Sequence, residues 1–473
     1  AIIPVRVNRE GSTYEESTMF SGYPAKRPWY PFTGNLYQEV IPSANDGYPY
    51  PIKVLFLHMG TPVFSTPAGH RQIAILKNPK IVPLFIACDI LIGETSMFAD
   101  YVFPDTTYLE RWESPGASTP AMLSTLSKVR QPVIGPLPEI VKVDGMDMPI
   151  NMEAILIALG KKLRLPGFGK DALGPGKNFD HQDDWYLKNV ANIAMGDKEG
   201  DSVPAADKNE MDLFRVARSH LPKSVFDEDR WMNAAGADYW PHVVYVLNRG
   251  GRFEDAHKMY KADMQAHPFS GIFQVFVERV ASGRNSISGQ QFDGLPVLEG
   301  PSFSDGKRIV KEADYPFQLI TFKEIFGGQS RTMPMDQWLS ELCPGNAILL
   351  NHSDADKLGL SNGERVRLSS VTNPSGSFDL GNGEIRHVEG IVKALEGLRP
   401  GVVAVAWHFG HWASGSRDMS VDGSLVKGNP RRSRGFTPNP VMLEHTIARN
   451  VCLTDPIGGS ASFNDTYVKI VRI

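Results

Sequence analysis

The sequence lacks any apolar run near the ~20 residues that a membrane-crossing helix needs. Its longest apolar stretches are strand-sized, which excludes a helical span within it. It also lacks a charge imbalance. Lys and Arg number 49 against 53 Asp and Glu, a net charge of −4, so no global basic field recruits nucleic acid or an anionic membrane. Cysteine is scarce, and Cys88, Cys343 and Cys452 stand far apart with no CxxC pair. Neither an iron–sulfur cluster nor a zinc site is therefore spelled locally, and burial is the default for each thiol. No repeat or low-complexity tract is visible. The start at Ala1 has no Met, no charged n-region and no apolar h-region, so no targeting signal can be read; the expectation is a processed start or a piece of a longer chain.

What is present begins with length. The 473 residues, 42% of them hydrophobic, suffice for at least two cores. Gly at 44 and Pro at 35 imply many loops, which suits a protein wrapped around an extended ligand. Residues 1–50 read as extended connecting structure. Three apolar runs follow: Ile52 to Leu57, Ile81 to Ala87 and Tyr101 to Phe103. Continuous runs of this kind suit parallel strands buried on both faces. Gln72 to Lys77 and Glu94 to Ala99 between them can form short helices, so the spacing predicts a doubly wound α/β sheet. In such sheets the ligand crevice lies beyond the strands' carboxyl ends, which singles out the loops Gly60 to Pro62, Asp89 to Thr95 and Pro104 to Glu113.

Helical spacing recurs over Asn151 to Leu163, Asp207 to His220 and Arg252 to Met264. A polar stretch, Ser282 to Lys307, marks the expected boundary, with an α/β domain over 51–310 and a second domain over 311–473. There the texture changes to short strands: Phe317 to Phe322, Ala347 to Leu350, Arg365 to Ser369, His387 to Ala394, Val402 to Trp407 and Thr466 to Val471. These predict a β-barrel. One helix interrupts them, with Ser353 as its expected N-cap and Gly359 as a left-handed stop.

Several segments resemble the dimethyl sulfoxide reductase superfamily of molybdopterin oxidoreductases. They are GETSMFADYVFPDTTYLERWE (Gly93 to Glu113), LITFKEIFGGQSRTMP (Leu319 to Pro334), GNAILLNHSDADKLGLSNGERVRLSS (Gly345 to Ser370), GLRPGVVAVAWHFGHW (Gly397 to Trp412) and DPIGGSASFNDTYVKIVRI (Asp455 to Ile473). Order and spacing agree with the family over roughly residues 50–145 and 315–473. ADYVFPDTTYLERWE and HFGHW lean toward the respiratory branch acting on tetrathionate, thiosulfate, polysulfide or arsenate, with tetrathionate foremost. GGQSRT, and Asn464 where many relatives carry Lys, depart from the family pattern and leave the substrate open.

The resemblance implies a molybdopterin-binding α/β region, incomplete at its start, followed by a six-stranded double-psi β-barrel that binds the dinucleotide. The implied cofactor is a bis-molybdopterin guanine dinucleotide holding molybdenum or tungsten. It calls for main-chain donors, hydroxyls and an occasional cation at its pyrophosphates and a carboxylate or amide at the guanine edges. Asp89 and Thr95 fall where the family contacts a guanosine end; a turn or N-cap Asp is the plain alternative for Asp89. Tyr108 and Glu110, with Arg111, follow a strand end facing the crevice, and Glu110 with Arg111 reads equally as a surface ion pair.

Lys323, Glu324, Gln329, Ser330, Arg331 and Thr332 match positions that hold a pterin and its phosphates, where Gly327 and Gly328 let backbone approach a ligand. His408, Gly410 and His411 match a turn against the pterins; their spacing would also allow a metal, but the family supplies its metal ligand elsewhere. Asn439, Phe463 and Asn464 match late polar contacts. In the family the metal's protein ligand and any iron–sulfur cysteines lie amino-terminal of everything matched, so no catalytic residue and no metal ligand is expected in this chain.

The implied partners are an amino-terminal part of the catalytic subunit, an iron–sulfur electron-transfer subunit, a membrane anchor subunit, and a small inorganic anion. The periplasm, or the outer face of the cytoplasmic membrane, is the implied location. A hydratase or transhydroxylase on the same scaffold and an inactive cofactor-binding fragment are the alternatives.

Overall fold

A computed structural model describes residues 13–33, 36–113, 126–136, 140–266, 274–325, 327 and 335–473. The first apolar runs become β1 (Leu55–His58), β2 (Phe85–Asp89) and β3 (Tyr101–Pro104), a three-stranded sheet in that order. The crossovers wind less than their spacing predicts. Over 72–77 a 3-10 turn, Gly69–Gln72, runs into one α-turn, Ile73–Leu76. Over 94–99 only Ser96–Phe98 winds, again as a 3-10 turn. The local reason is that Glu94 and Thr95 are committed to partners outside the turn: the Val63 amide donates to Thr95 Oγ1 at 3.0 Å, and Glu94 binds a distant loop described below.

The barrel follows from alternation. Its strands are β4 (Phe317–Phe322), β5 (Ile348–Asn351), β6 (Arg365–Ser370), β7 (Glu389–Leu395), β8 (Val402–Ala406) and β9 (Thr466–Arg472), closed in the order β4-β8-β5-β7-β6-β9. Leu319, Ile348, Leu350, Val366, Leu368, Val392, Val403, Val405 and Val468 fill the interior, while Arg365 and Arg367 alternate outward toward Glu389. β4 runs parallel to β8, with Phe322 opposite Ala406, so the segments after both strands leave the barrel at the same end. Closure removes the open edges that six short strands would otherwise present.

Two expectations here are corrected. The run from His387 to Ala394 is not one strand: Ile385–His387 pairs with Ser377–Asp379 in a separate hairpin, and β7 begins only at Glu389. The break is Val388, which is buried and bonds both Gly376 O and the Leu368 amide. The helix His352–Leu358 is capped by Asn351 rather than Ser353; Asn351 Oδ1 accepts from the Ser353 amide at 2.8 Å and from its hydroxyl at 2.7 Å. Gly359 stops the helix at φ +63, as expected.

The chain divides into two compact units: residues 1–87, 91–102 and 274–473, and residues 88–90 with 103–273. The boundary near 310 does not separate cores, because Leu55, Phe64, Ile73 and Phe85 share one hydrophobic cluster with the barrel interior. Nor is the start of the chain merely connecting. Tyr14, Ala25 and Trp29 pack with Ile287, and buried Arg27 pairs with Glu39 at 2.6 Å while donating to Ala448 O at 2.9 Å.

In the second unit five helices, Met152–Lys162, Gln182–Met195, Lys208–Arg218, Glu228–Ala235 and Trp240–Arg249, are the longer ones. Asn151 and Asp207 cap the first and third as N-cap acceptors. The core gathers Trp112, Leu187, Phe214, Trp231 and Val243. The helix expected over Arg252 to Met264 is absent. That segment holds a strand, Gly251–Phe253, a 3-10 turn and a hairpin of Tyr260–Lys261 with Met264–Gln265. Its helical spacing has nothing to bury against: Phe253, Tyr260 and Met264 are all exposed, and Ala262 turns the chain at φ +53.

Candidate functional site

The strongest polar constellation is built around a residue the sequence reading passed over. Glu94, fully buried, accepts from His411 Nδ1 at 2.8 Å, from the Trp412 and Ala413 amides at 3.2 and 3.0 Å, and from Ser414 Oγ at 3.2 Å. The Ser414 amide returns a bond to Ile92 O at 2.8 Å. Burial works to raise the Glu94 pKa, but the His411 imidazole, its hydrogen bond and the Ala413 amide outweigh burial and hold it at about 2. A carboxylate thus organises the turn after β8 from the loop after β2. The available signal was an acid set among small and apolar residues in IGETSMF.

The rest of this turn is equally fixed. Gly410 takes φ +82, and a Cβ there would lie 2.5 Å from Phe436 Cα. Its amide donates to Arg434 O at 2.9 Å, and Arg386 Nη1 donates to the Gly410 and His411 carbonyls. The His411 ring stacks on Phe64 at 4.0 Å. Asn439 Nδ2 donates to Phe64 O at 2.7 Å, and Asn439 O accepts from the Ala68 amide. Thr95, His411 and Asn439 therefore converge on the turn Pro62–Ser65.

His408 differs from its neighbour. It is 0% exposed, stacks on Phe409 at 4.9 Å, and neither ring nitrogen has a hydrogen-bond partner among the described residues. Burial, with His411 and Lys323 nearby, lowers its pKa to about 4, so the ring is neutral near pH 7. Trp412 Nε1, Ser416 Oγ and Asn439 Oδ1 are also buried without partners among the described residues. Buried polar groups are ordinarily satisfied. Each of these atoms is therefore open to a polar contact beyond those the described residues supply.

The remaining expected positions are distributed as follows. Lys323, exposed, and Glu324, half-buried, lie just beyond β4. Phe463 packs against the barrel core. Asn464 ties strands together, its Oδ1 accepting from the Thr321 amide at 3.0 Å. In the other unit Asp89 is buried, its carbonyl accepting from the Asp105 amide at 3.0 Å. Tyr108 is 67% exposed with Arg130 over its ring at 4.7 Å. Glu110 accepts from the Thr107 amide at 2.7 Å, and Arg111 pairs with Asp105 and Glu153. Gln329, Ser330, Arg331 and Thr332 lie outside the described residues. Among the described residues no group of His, Cys, Asp and Glu could hold a metal ion, and no helix is long and apolar enough to cross a membrane.

No family model matches the chain. It is 47% identical over 470 residues to a selenate reductase subunit of Mesobacillus selenatarsenatis, covering 99% of this chain and 44% of that protein. It is 31% identical to a tetrathionate reductase subunit of Salmonella typhimurium, over 99% of this chain and 45% of that one. To the arsenate respiratory reductase molybdopterin-containing subunit of Chrysiogenes arsenatis it is 24% identical, over 89% of this chain and 46% of that one. The chain belongs to the molybdopterin oxidoreductases. It spans less than half the length of these curated relatives.

Proposed function

We propose that this chain is the carboxy-terminal, cofactor-holding part of a bis-molybdopterin guanine dinucleotide oxidoreductase that reduces a small inorganic oxyanion. Selenate and tetrathionate are the leading substrates. The observation that carries the reading is the 47% identity, along nearly the whole chain, to a selenate reductase subunit. His408 at the turn after β8, buried and without a partner among the described residues, supports it. The barrel serves as the double-psi dinucleotide-binding module. His408 and Asn439 are the proposed contacts to a pterin, and Asp89 and residues 329–332 the proposed contacts to guanine and phosphate.

When bound, the cofactor supplies the two-electron chemistry at its metal; the protein supplies binding, orientation and electrostatics. The chain's own residues hold and tune: Glu94 fixes the turn, and neutral His408 offers one donor and one acceptor. An amino-terminal part carrying the metal ligand, an iron–sulfur subunit, a membrane anchor subunit, and a periplasmic location complete the proposal.

Metal and pterin content of protein purified from its native source, with intact mass of every copurifying chain, tests it. Molybdenum or tungsten with two guanine dinucleotides and a longer or second chain is expected. A single chain of this mass without metal or pterin would overturn the reading.

A further inference from the structure

Arg431, Arg432 and Arg434 stand within four residues on and just after the 3-10 turn Pro430–Ser433, whose Asn429 side chain accepts from the Arg431 amide at 3.1 Å. They line two adjoining hollows. The outer, about 310 Å³, is bounded by Met335, Gln337, Ser340, Asn429, Arg431 and Arg432. The inner, about 10 Å³, is bounded by Ser340, Cys343, His408 and all of these arginines. Ser340, Arg431 and Arg432 belong to both, so the two hollows adjoin, and His408 lines the inner one.

The charge here is unbalanced. Arg431 pairs with Glu341, whereas the Arg432 and Arg434 side chains have neither hydrogen bond nor ion pair among the described residues. Burial, aided by Glu324, pushes the Cys343 pKa up, so its thiol adds no negative charge near pH 7. Guanidiniums carry planar donor forks matched to oxyanion oxygens. The fully buried His408 gives the hollow a second, independent demand, since neither ring nitrogen has a partner among the described residues. An outer volume of 310 Å³ accommodates a tetrahedral oxyanion, while the inner recess admits a single oxygen or one water.

We propose that this hollow is a binding subsite for a tetrahedral oxyanion, held by Arg431, Arg432 and Arg434 with Ser340 and His408 completing its hydrogen bonds. The group is either a free dianion of selenate or sulfate type or a phosphate carried on a larger ligand. The proposal rests on the reading of the chain as part of an oxyanion reductase, and deepens it by naming where the anion is gathered.

The test is calorimetric titration of sodium selenate, and separately of GDP, into the purified protein and into an Arg432→Gln/Arg434→Gln variant. Circular dichroism confirms that the variant folds, and metal and pterin content is measured on both. Selenate affinity at least tenfold weaker in the variant is expected. If GDP does not displace selenate and the pterin content is unchanged, the group is the free anion. If GDP displaces selenate and the variant loses pterin, the group is a carried phosphate. Equal selenate affinity in both proteins, or none in either, overturns the subsite. Arginine-dependent selenate binding by protein free of molybdenum and pterin would retain the subsite while removing the oxidoreductase reading.

Discussion

Glu94→Gln isolates the charge at the centre of the polar constellation while keeping its shape. The folded carboxyl titrates at about 2 against an ordinary 4.5. At about 1.4 kcal/mol per pH unit that gap corresponds to about 3 kcal/mol of stability. The figure lies near the lower end of the ~3–5 kcal/mol lost when one partner of a buried pair is removed. Because the folded pKa lies below the unfolded one, this contribution is complete above pH 4.5 and is lost as pH falls from 4.5 toward 2. Scanning calorimetry near neutral pH should therefore show the variant melting about 5 °C lower, taking ~2.1 cal/mol/K of unfolding entropy per residue over a unit of about 300 residues. The gap should narrow as both proteins are acidified, since a protonated Glu94 resembles glutamine. A variant melting within about a degree of the parent near neutral pH, or a gap that widens on acidification, would refute the argument.

Gly410→Ala should cost about 2–4 kcal/mol through its left-handed backbone and its collision with the Phe436 main chain; unchanged urea denaturation would contradict this. His408→Leu removes two buried nitrogens that lack partners, so in cofactor-free protein it should be neutral or stabilising by about 1 kcal/mol, while protein expressed with its cofactor should retain less pterin. A loss of about 3 kcal/mol in the cofactor-free melt would instead mean that His408 is already satisfied within the fold.

The barrel was legible because its strands alternate and its turns are punctuated by glycine. Five of its strands begin or end within a residue or so of their apolar runs, and the sixth fails only at Val388, where a buried residue bends the chain between two pairings. Arg252 to Met264 shows the converse, since periodicity forms a helix only when another surface covers its apolar face, and here Tyr260 and Met264 face solvent. The division into units was not legible because cores are made by contacts distant in sequence. Phe85 joins the barrel cluster, and no local composition announces it. Of the candidate residues, His408, Gly410 and His411 share the turn after β8, and Asn439 meets His411 only through Phe64. Glu94 was missed because a lone acid in a loop has no motif, and its role exists only through a segment more than 300 residues away.

His408 and His411 share one turn and one degree of burial, yet one is bound and the other has no hydrogen-bond partner among the described residues. A buried polar group without a partner costs ~1–3 kcal/mol, and that cost persists only where the surroundings leave the chain no cheaper conformation. Those surroundings are specified here: Glu94 grips the turn on one side, Arg386 holds its carbonyls, and the Gly410 amide is tied to Arg434 O. The engaged histidine and its carboxylate thus impose the geometry that keeps the other unpaired. A turn with no ligand to meet would gain by placing an apolar residue at 408. That His408 is instead held neutral, beside a recess lined by arginines and without a partner among the described residues, is the arrangement expected of the ligand contact proposed for it.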